Sequence, residues 1–145
     1  MIDSRNDQVV ARAETGYRTD VVTNGYALVA DEPSNVGGTD AGATPYDYLL
    51  AALGSCTAIT VRMYANNKGW PLESVTVGLS HGKIHATDCE ECETNDGSRI
   101  DHITMELELE GSLDATQRRR LRNIAGKCPV HRTLTSTVKI ETTLA

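Results

Sequence analysis

The spacing of apolar residues predicts a long helix over residues 44–70, TPYDYLLAALGSCTAITVRMYANNKGW. Thr44 can cap its start, and Pro45 suits the first helical position, where no N–H is needed. Asp47 lies three residues after the cap and completes a short capping box. One helical face carries Leu49, Ala52, Leu53, Cys56, Thr60 and Met63. Cys56 is therefore predicted to point toward the core.

A second helix is predicted within residues 112–134, starting near Asp114 and running to about Lys127. One of its faces carries Leu121, Ile124, Ala125 and Cys128. Two amphipathic helices would thus each offer a cysteine to the core and pack together. Cys128 lies where this helix stops and a new helical turn starts at Pro129. The free N–H groups of that turn would favour its thiolate.

Strands are predicted on either side of these helices. The first three cover residues 9–14, 18–22 and 26–31, with a hairpin turn at Asn24-Gly25. Alternating residues predict further strands at 72–86, 99–111 and 137–144. This order indicates a single α+β domain over residues 1–145, with antiparallel sheet wrapped around two helices.

Composition narrows the function. A net charge of −6 argues against nucleic acid as the main partner, and the basic run at 118–122 is interpreted as a solvated helix face. No segment resembles a signal peptide or approaches the roughly 18 apolar residues that span a membrane. A cytoplasmic location is therefore expected. In that compartment the four cysteines are expected to be catalytic, metal-binding or reduced rather than structural disulfides.

Two further groups leave alternatives open. His85, Cys89 and Cys92 have a spacing that suits zinc or a redox disulfide, but a fourth ligand is missing and acidic residues surround them. An exposed hairpin tip is the simpler interpretation, so no metal and no cofactor are predicted. His131, three residues after Cys128, could act as a base in a Cys–His arrangement or have only a structural role.

The motifs GATPYDYLLAALGSCTA and IAGKCPVHRTL resemble those of the OsmC/Ohr family (osmotically inducible protein C and organic hydroperoxide resistance protein), most closely its YhfA-like branch. The similarity runs from about residue 25 to the end of the chain. It implies a thiol-dependent peroxidase that reduces organic hydroperoxides. It also implies an intertwined homodimer of the OsmC-like α+β fold, with active sites at the subunit interface.

The resemblance also assigns roles to residues. Cys56 corresponds to the peroxidatic cysteine and Cys128 to the resolving cysteine, and an external dithiol restores both. The family uses an arginine of the N-terminal strands to hold the thiolate, for which Arg18 is the first choice and Arg12 the reserve. It places a glutamate directly after the helix proline to hold that arginine, whereas this chain has Tyr46 there and Asp47 next.

The shift of the carboxylate by one position rotates it by about 100° around the helix. Asp47 is therefore either the partner of the arginine or only a helix cap. The apolar helix faces around Cys56 indicate a lipophilic hydroperoxide. Two other functions remain open, namely a non-enzymatic dimer that binds a small ligand or senses redox state, and metal binding through His85, Cys89 and Cys92.

Overall fold

The computed structural model describes residues 2, 7–85 and 98–145. The strands in this part of the chain are β1 (Val10–Ala13), β2 (Thr19–Thr23), β3 (Tyr26–Ala30), β4 (Leu72–His85) and β5 (Arg99–Gly111). The helices are α1 (Pro45–Lys68), α2 (Ala115–Ala125) and α3 (Pro129–Leu134), with a short 3₁₀ helix at Ser34–Val36. The predicted α+β class is confirmed. The residues form two compact units, Met1–Leu49 with Lys139–Ala145 and Leu50–Val138.

Strands β1, β2 and β3 form an antiparallel sheet in the first unit, in that order. The β2–β3 hairpin closes at the pair Thr23↔Tyr26. Asn24 and Gly25 between them have φ of 47° and 83°. This left-handed backbone is what a two-residue hairpin turn requires, and asparagine and glycine tolerate it best. The predicted hairpin is therefore confirmed.

Strands β4 and β5 form a long antiparallel ribbon in the second unit, paired from Leu72↔Gly111 to His85↔Arg99. Along β5 the half-buried Ile103, Met105, Leu107 and Leu109 alternate with exposed polar residues. This period of two is the one the sequence predicts, because successive strand side chains point to opposite faces. The half-buried face of the ribbon supplies part of the wall of the site described below.

The core of the second unit lies between α1, α2 and this ribbon. Its buried members are Val61, Ala65, Leu72, Leu113, Leu121 and Ala125. Leu121, Ile124 and Ala125 confirm the predicted apolar face of α2, whereas Cys128, predicted on the same face, lies beyond the end of this helix. At the start of α2, Asp114 and Gln117 form a reciprocal capping box.

The predicted inward face of α1 is only partly right. The buried residues of this helix are Leu53, Gly54, Thr57, Val61 and Ala65. Cys56 is half-buried at the margin of that face. Met63, which was predicted to face inward, is 60% exposed. Ile59, one turn earlier, is 59% exposed. Because α1 is apolar on more than one side, spacing alone does not identify the side that packs in the protomer.

Two other expectations are corrected. Residues 137–145 form no strand, and Ile140 and Leu144 are 84% and 101% exposed. Alternating residues give a strand only where a neighbouring strand pairs with the backbone. The expectation that no segment approaches membrane-spanning length is also wrong, because the 24-residue α1 contains an 18-residue window with a mean hydropathy of 1.2 and is long and apolar enough by length and composition alone. Within this helix, Leu53, Val61 and Ala65 are buried in the protein.

The loop before α1 is organised by the buried carboxylate of Asp31. Its Oδ1 accepts from the Glu32 N–H at 2.8 Å, and its Oδ2 accepts from the Thr39 N–H, the Thr39 hydroxyl and the Ala41 N–H at 3.1, 2.5 and 3.1 Å. Gly38 is needed beside it, since a Cβ there would lie 1.9 Å from the Glu32 carbonyl oxygen. The hydrogen bonds, first that of the Thr39 hydroxyl, lower the pKa of Asp31 from 3.8 to about 2.

Asp31 is expected to make the protein acid-sensitive. A folded pKa below the unfolded value gives a stabilisation that is complete above about pH 4 and is lost as the pH falls toward 2. An Asp31→Asn variant should therefore be less stable than the wild type at neutral pH, and the difference should shrink below pH 4. Urea unfolding at several pH values measures this. A difference that does not change with pH would contradict the role of the carboxylate, and Asp40→Asn in the same loop is the control.

Candidate active site

Cys128 occupies the junction between α2 and α3. It has extended backbone angles (φ −65°, ψ 147°) and is the N-cap of α3, which begins at Pro129. Its Sγ accepts a hydrogen bond from the backbone N–H of His131 at 3.2 Å. The side chain is completely buried. The predicted position of Cys128 at the start of a new helical turn is confirmed, and His131 contacts it through the backbone.

Thr57 connects Cys128 to α1. Its hydroxyl Oγ1 lies 3.6 Å from the Sγ of Cys128 and 3.6 Å from the Sδ of Met105 on β5. Thr57 directly follows Cys56, so the fold brings Cys128 to the turn of α1 that carries Cys56. Both cysteines are free thiols. They differ in burial, because Cys56 is half-buried and Cys128 fully buried. A molecule from solvent therefore reaches Cys56 more easily.

Arg118 secures the helix that leads to Cys128. Its Nε, Nη1 and Nη2 donate to the carbonyl oxygens of Leu113, Leu109 and Gly111 at 3.2, 2.7 and 3.0 Å. These bonds tie α2 to the end of β5. The basic run at 118–122 was interpreted as a solvated helix face. Arg118 departs from that interpretation, because its guanidinium donates hydrogen bonds to backbone carbonyl oxygens. Arg120 likewise donates to the Tyr64 hydroxyl at 2.9 Å, which lowers the pKa of Tyr64.

A cavity of about 560 Å³ opens between β5 and α2. Met105, Leu107 and Leu109 give it an apolar wall, and Arg118, Arg119 and Arg122 line it as well. Met105 is shared between this wall and the contact with Thr57. Through Met105, this cavity with one apolar wall adjoins the residues around Cys128.

The proposed arginines and carboxylate lie in the first unit. Arg18 pairs with Asp20 at 3.4 Å and Arg12 with Glu14 at 2.7 Å, and all four side chains are exposed. Asp47 accepts from the Thr44 N–H at 3.0 Å, while its own N–H donates to the Thr44 hydroxyl at 3.2 Å. Asp47 therefore forms the predicted capping box.

The second cysteine group is only partly described. His85 is the last residue of β4, whereas Cys89 and Cys92 lie outside the described residues. Within residues 7–85 and 98–145, no three His, Cys, Asp or Glu side chains are grouped as a metal site. His81, which has no special role in the sequence prediction, hydrogen-bonds Asp101 at 2.9 Å. That bond lowers the pKa of Asp101.

Residues 38–143 match the family model described as OsmC-like protein. The chain belongs to the OsmC-like family. The match contains both Cys56 and Cys128 as well as Asp47, but it starts after Arg12 and Arg18. The predicted family is therefore confirmed, while assignment to the YhfA-like branch stays a prediction. No curated protein matches this sequence.

Solved structures share this OsmC-like fold. One from Psychrobacter arcticus 273-4, described as an osmotic stress induced and detoxification response protein, is 18% identical over 88% of this chain and 87% of its own, with a TM-score of 0.68. An organic hydroperoxide resistance protein OsmC from Legionella pneumophila is 20% identical over 90% of each chain, at a TM-score of 0.64. An OsmC like protein from Mycoplasma pneumoniae is 18% identical over 87% and 84%, at 0.67. At sequence identities of 18–20%, this structural similarity shows a shared fold and nothing about function.

Proposed function

We propose that this chain is a thiol-dependent peroxidase that reduces organic hydroperoxides with Cys56 and Cys128. The observation that carries the proposal is the contact of Thr57, the residue after Cys56, with the buried sulfur of Cys128 at 3.6 Å. Two free thiols carried by adjacent segments are what a peroxidatic and resolving pair requires. Membership of the OsmC-like family and the hydroperoxide-resistance function named for the Legionella relative support the same chemistry.

The reaction would run in three balanced steps. The Cys56 thiolate attacks the terminal peroxide oxygen, the O–O bond breaks, and the alkoxide leaves as an alcohol after taking up a proton. Cys56 is then a sulfenic acid. The Cys128 sulfur attacks it, forming the disulfide as the S–O bond breaks and water leaves. An external dithiol reduces the disulfide, restores both thiols and is itself oxidised to a disulfide.

The difference in burial fits this division of labour. Cys56 is half-buried, so a hydroperoxide can reach it, whereas the fully buried Cys128 is protected from direct oxidation. The cavity beside Met105 has an apolar wall. An apolar surface favours alkyl hydroperoxides over hydrogen peroxide because it rewards the burial of the alkyl group. We therefore assign a lipophilic substrate.

Arg18 is proposed to hold the Cys56 thiolate, with Arg12 as the reserve. The Arg18–Asp20 pair is exposed, and exposed ion pairs contribute at most about 1 kcal/mol, so this contact does not prevent Arg18 from taking another partner. Asp47 is proposed to position that arginine in addition to capping α1. The active form is proposed to be a homodimer, as the family resemblance implies, and the cytoplasmic location expected from the sequence is proposed with it.

The test is intact-mass analysis and peptide mapping after one equivalent of cumene hydroperoxide, with hydrogen peroxide in parallel. The wild type should form a Cys56–Cys128 disulfide, faster with the organic peroxide. A Cys128→Ser variant should stop at the sulfenic acid of Cys56, which dimedone traps. Because the resolving sulfur is missing, this variant cannot form the Cys56–Cys128 disulfide.

A Cys89→Ser/Cys92→Ser variant is the matched control and should react like the wild type. Oxidation confined to Cys89 and Cys92, or a Cys128→Ser variant that still completes the cycle at the normal rate, would contradict the proposed pair. In the first case, ligand-dependent thermal stabilisation and zinc content would test the non-enzymatic and metal-binding alternatives.

A further inference from the structure

The hydroxyl of Thr57 lies between two sulfur atoms inside the protein. The Sγ of Cys128 and the Sδ of Met105 are both 3.6 Å from it. Thr57 and Cys128 are completely buried, so bulk solvent does not compete for the hydrogen bonds between this hydroxyl and the sulfur atoms. A hydroxyl has one proton to donate and two lone pairs with which to accept. It can therefore face Met105 or Cys128, but it donates to only one of them at a time.

This environment is unusual for a threonine within a helix. A helical threonine commonly donates to the carbonyl oxygen four residues earlier. Thr133 in α3 does so, with its Oγ1 3.1 Å from the Pro129 carbonyl oxygen. Thr57 is directed at sulfur atoms instead. Thr57 lies on the buried face of α1 with Leu53 and Val61. An apolar side chain of equal size would also fit at this position.

The Cys128 sulfur needs donors when it becomes negatively charged. Removal of a charge from water is costly unless hydrogen bonds compensate for it, and bonds to a charged acceptor are the stronger ones. The backbone N–H of His131 supplies one donor at 3.2 Å. The Thr57 hydroxyl is the second, and it is the one that a substitution can remove.

We propose that Thr57 is a positioning residue for the resolving step, an inference that rests on the proposed function. While Cys128 is a thiol, its S–H donates to the Thr57 oxygen and the Thr57 hydroxyl donates to Met105. As the Cys128 sulfur loses its proton and attacks the Cys56 sulfenic acid, the hydroxyl turns from Met105 to Cys128. The S–S bond forms, the S–O bond breaks, and the departing hydroxide leaves with that proton as water.

The first arm of the test compares Thr57→Val with Thr57→Ser. Valine keeps the size of threonine and removes the hydroxyl, whereas serine keeps the hydroxyl. Thr57→Val should slow disulfide formation about tenfold, the effect of losing one hydrogen bond to a developing charge. Formation of the Cys56 sulfenic acid should keep its wild-type rate. Thr57→Ser should restore the resolving rate, and Thr116→Val, at an exposed position of α2, should leave both rates unchanged.

The second arm needs no peroxide. A full-length variant that retains only Cys128, with serine at the other three cysteine positions, gives a single S–H stretching band in the Raman spectrum. Adding Thr57→Val should move this band to higher frequency, since the S–H then loses its acceptor. Thr57→Ser should move it back.

The two arms separate the possible failures. A Thr57→Val protein that resolves at the wild-type rate, or a Thr57→Ser protein as slow as Thr57→Val, would overturn the role of the hydroxyl. If the wild type forms neither a sulfenic acid nor a disulfide at Cys56, the proposed function fails. The S–H band then decides the inference by itself, and an unchanged band in Thr57→Val would overturn the contact with Cys128.

Discussion

Replacement of Cys56 by serine is expected to abolish the reduction of organic hydroperoxides, with a loss of at least about a thousandfold. The thiolate is the nucleophile for the peroxide oxygen, and a serine hydroxyl is not ionised at neutral pH and is a far weaker nucleophile. Cys56 is half-buried on α1, and serine is only slightly smaller than cysteine, so the substitution should preserve the fold. Peroxide consumption with a saturating dithiol, by the ferrous–xylenol orange assay, measures this loss.

Two controls make this experiment specific. Ser55→Ala changes the preceding exposed residue, whose hydroxyl donates to the Ala52 carbonyl oxygen, and should leave the rate near that of the wild type. Circular dichroism of Cys56→Ser should show the wild-type helix content. A folded Cys56→Ser protein with unchanged peroxide consumption would show that Cys56 is not the nucleophile.

Replacement of Leu121 by alanine is expected to lower the free energy of unfolding by about 2–5 kcal/mol. Leu121 has an exposed fraction of 0% and packs in the core with Val61, Ala65 and Leu113. Truncation loses buried apolar area and leaves a cavity that closely packed neighbours fill only partly. Urea unfolding followed by circular dichroism measures the loss.

The matched control is Leu134→Ala at the end of α3, where the leucine is 39% exposed. Its effect should be below about 1 kcal/mol, because solvent already reaches the side chain. Equal losses at the two positions would contradict the burial order in the core. Since α2 leads directly to Cys128, Leu121→Ala should also slow formation of the Cys56–Cys128 disulfide.

Local features of the fold followed from the sequence because each depends on residues close together in the chain. The Asn24-Gly25 hairpin, the Thr44–Asp47 cap and the start of α3 after Cys128 are set by backbone preferences and short-range hydrogen bonds. The alternation along β5 is a second example, since only one side of the ribbon is packed.

Part of the candidate site also followed from local pattern. Cys128 was predicted to be buried from the spacing it shares with Leu121, Ile124 and Ala125, and it is buried, although it lies beyond the end of α2 as the N-cap of α3. The contact of Thr57 with Cys128 could not be predicted, since a threonine in an apolar helix does not by itself indicate a functional role. The only sequence signal of Thr57 is its spacing of four residues from Leu53 and Val61, which places it on the side of α1 that is buried.

Sequence alone determined the α+β class, the caps and turns, the helix that carries Cys56 and the helix that precedes Cys128, because these depend on local spacing and on motifs that resemble a known family. Tertiary structure decided which apolar side of α1 packs, that Arg118 binds backbone carbonyls, and that Thr57 contacts Cys128. It also decided that residues 137–145 do not form the strand that their alternating pattern predicts. Thr57 and Cys128 are 71 positions apart, and the carbonyl partners of Arg118 lie outside its own helix, so the spacing of residues within one segment carries no information about these contacts.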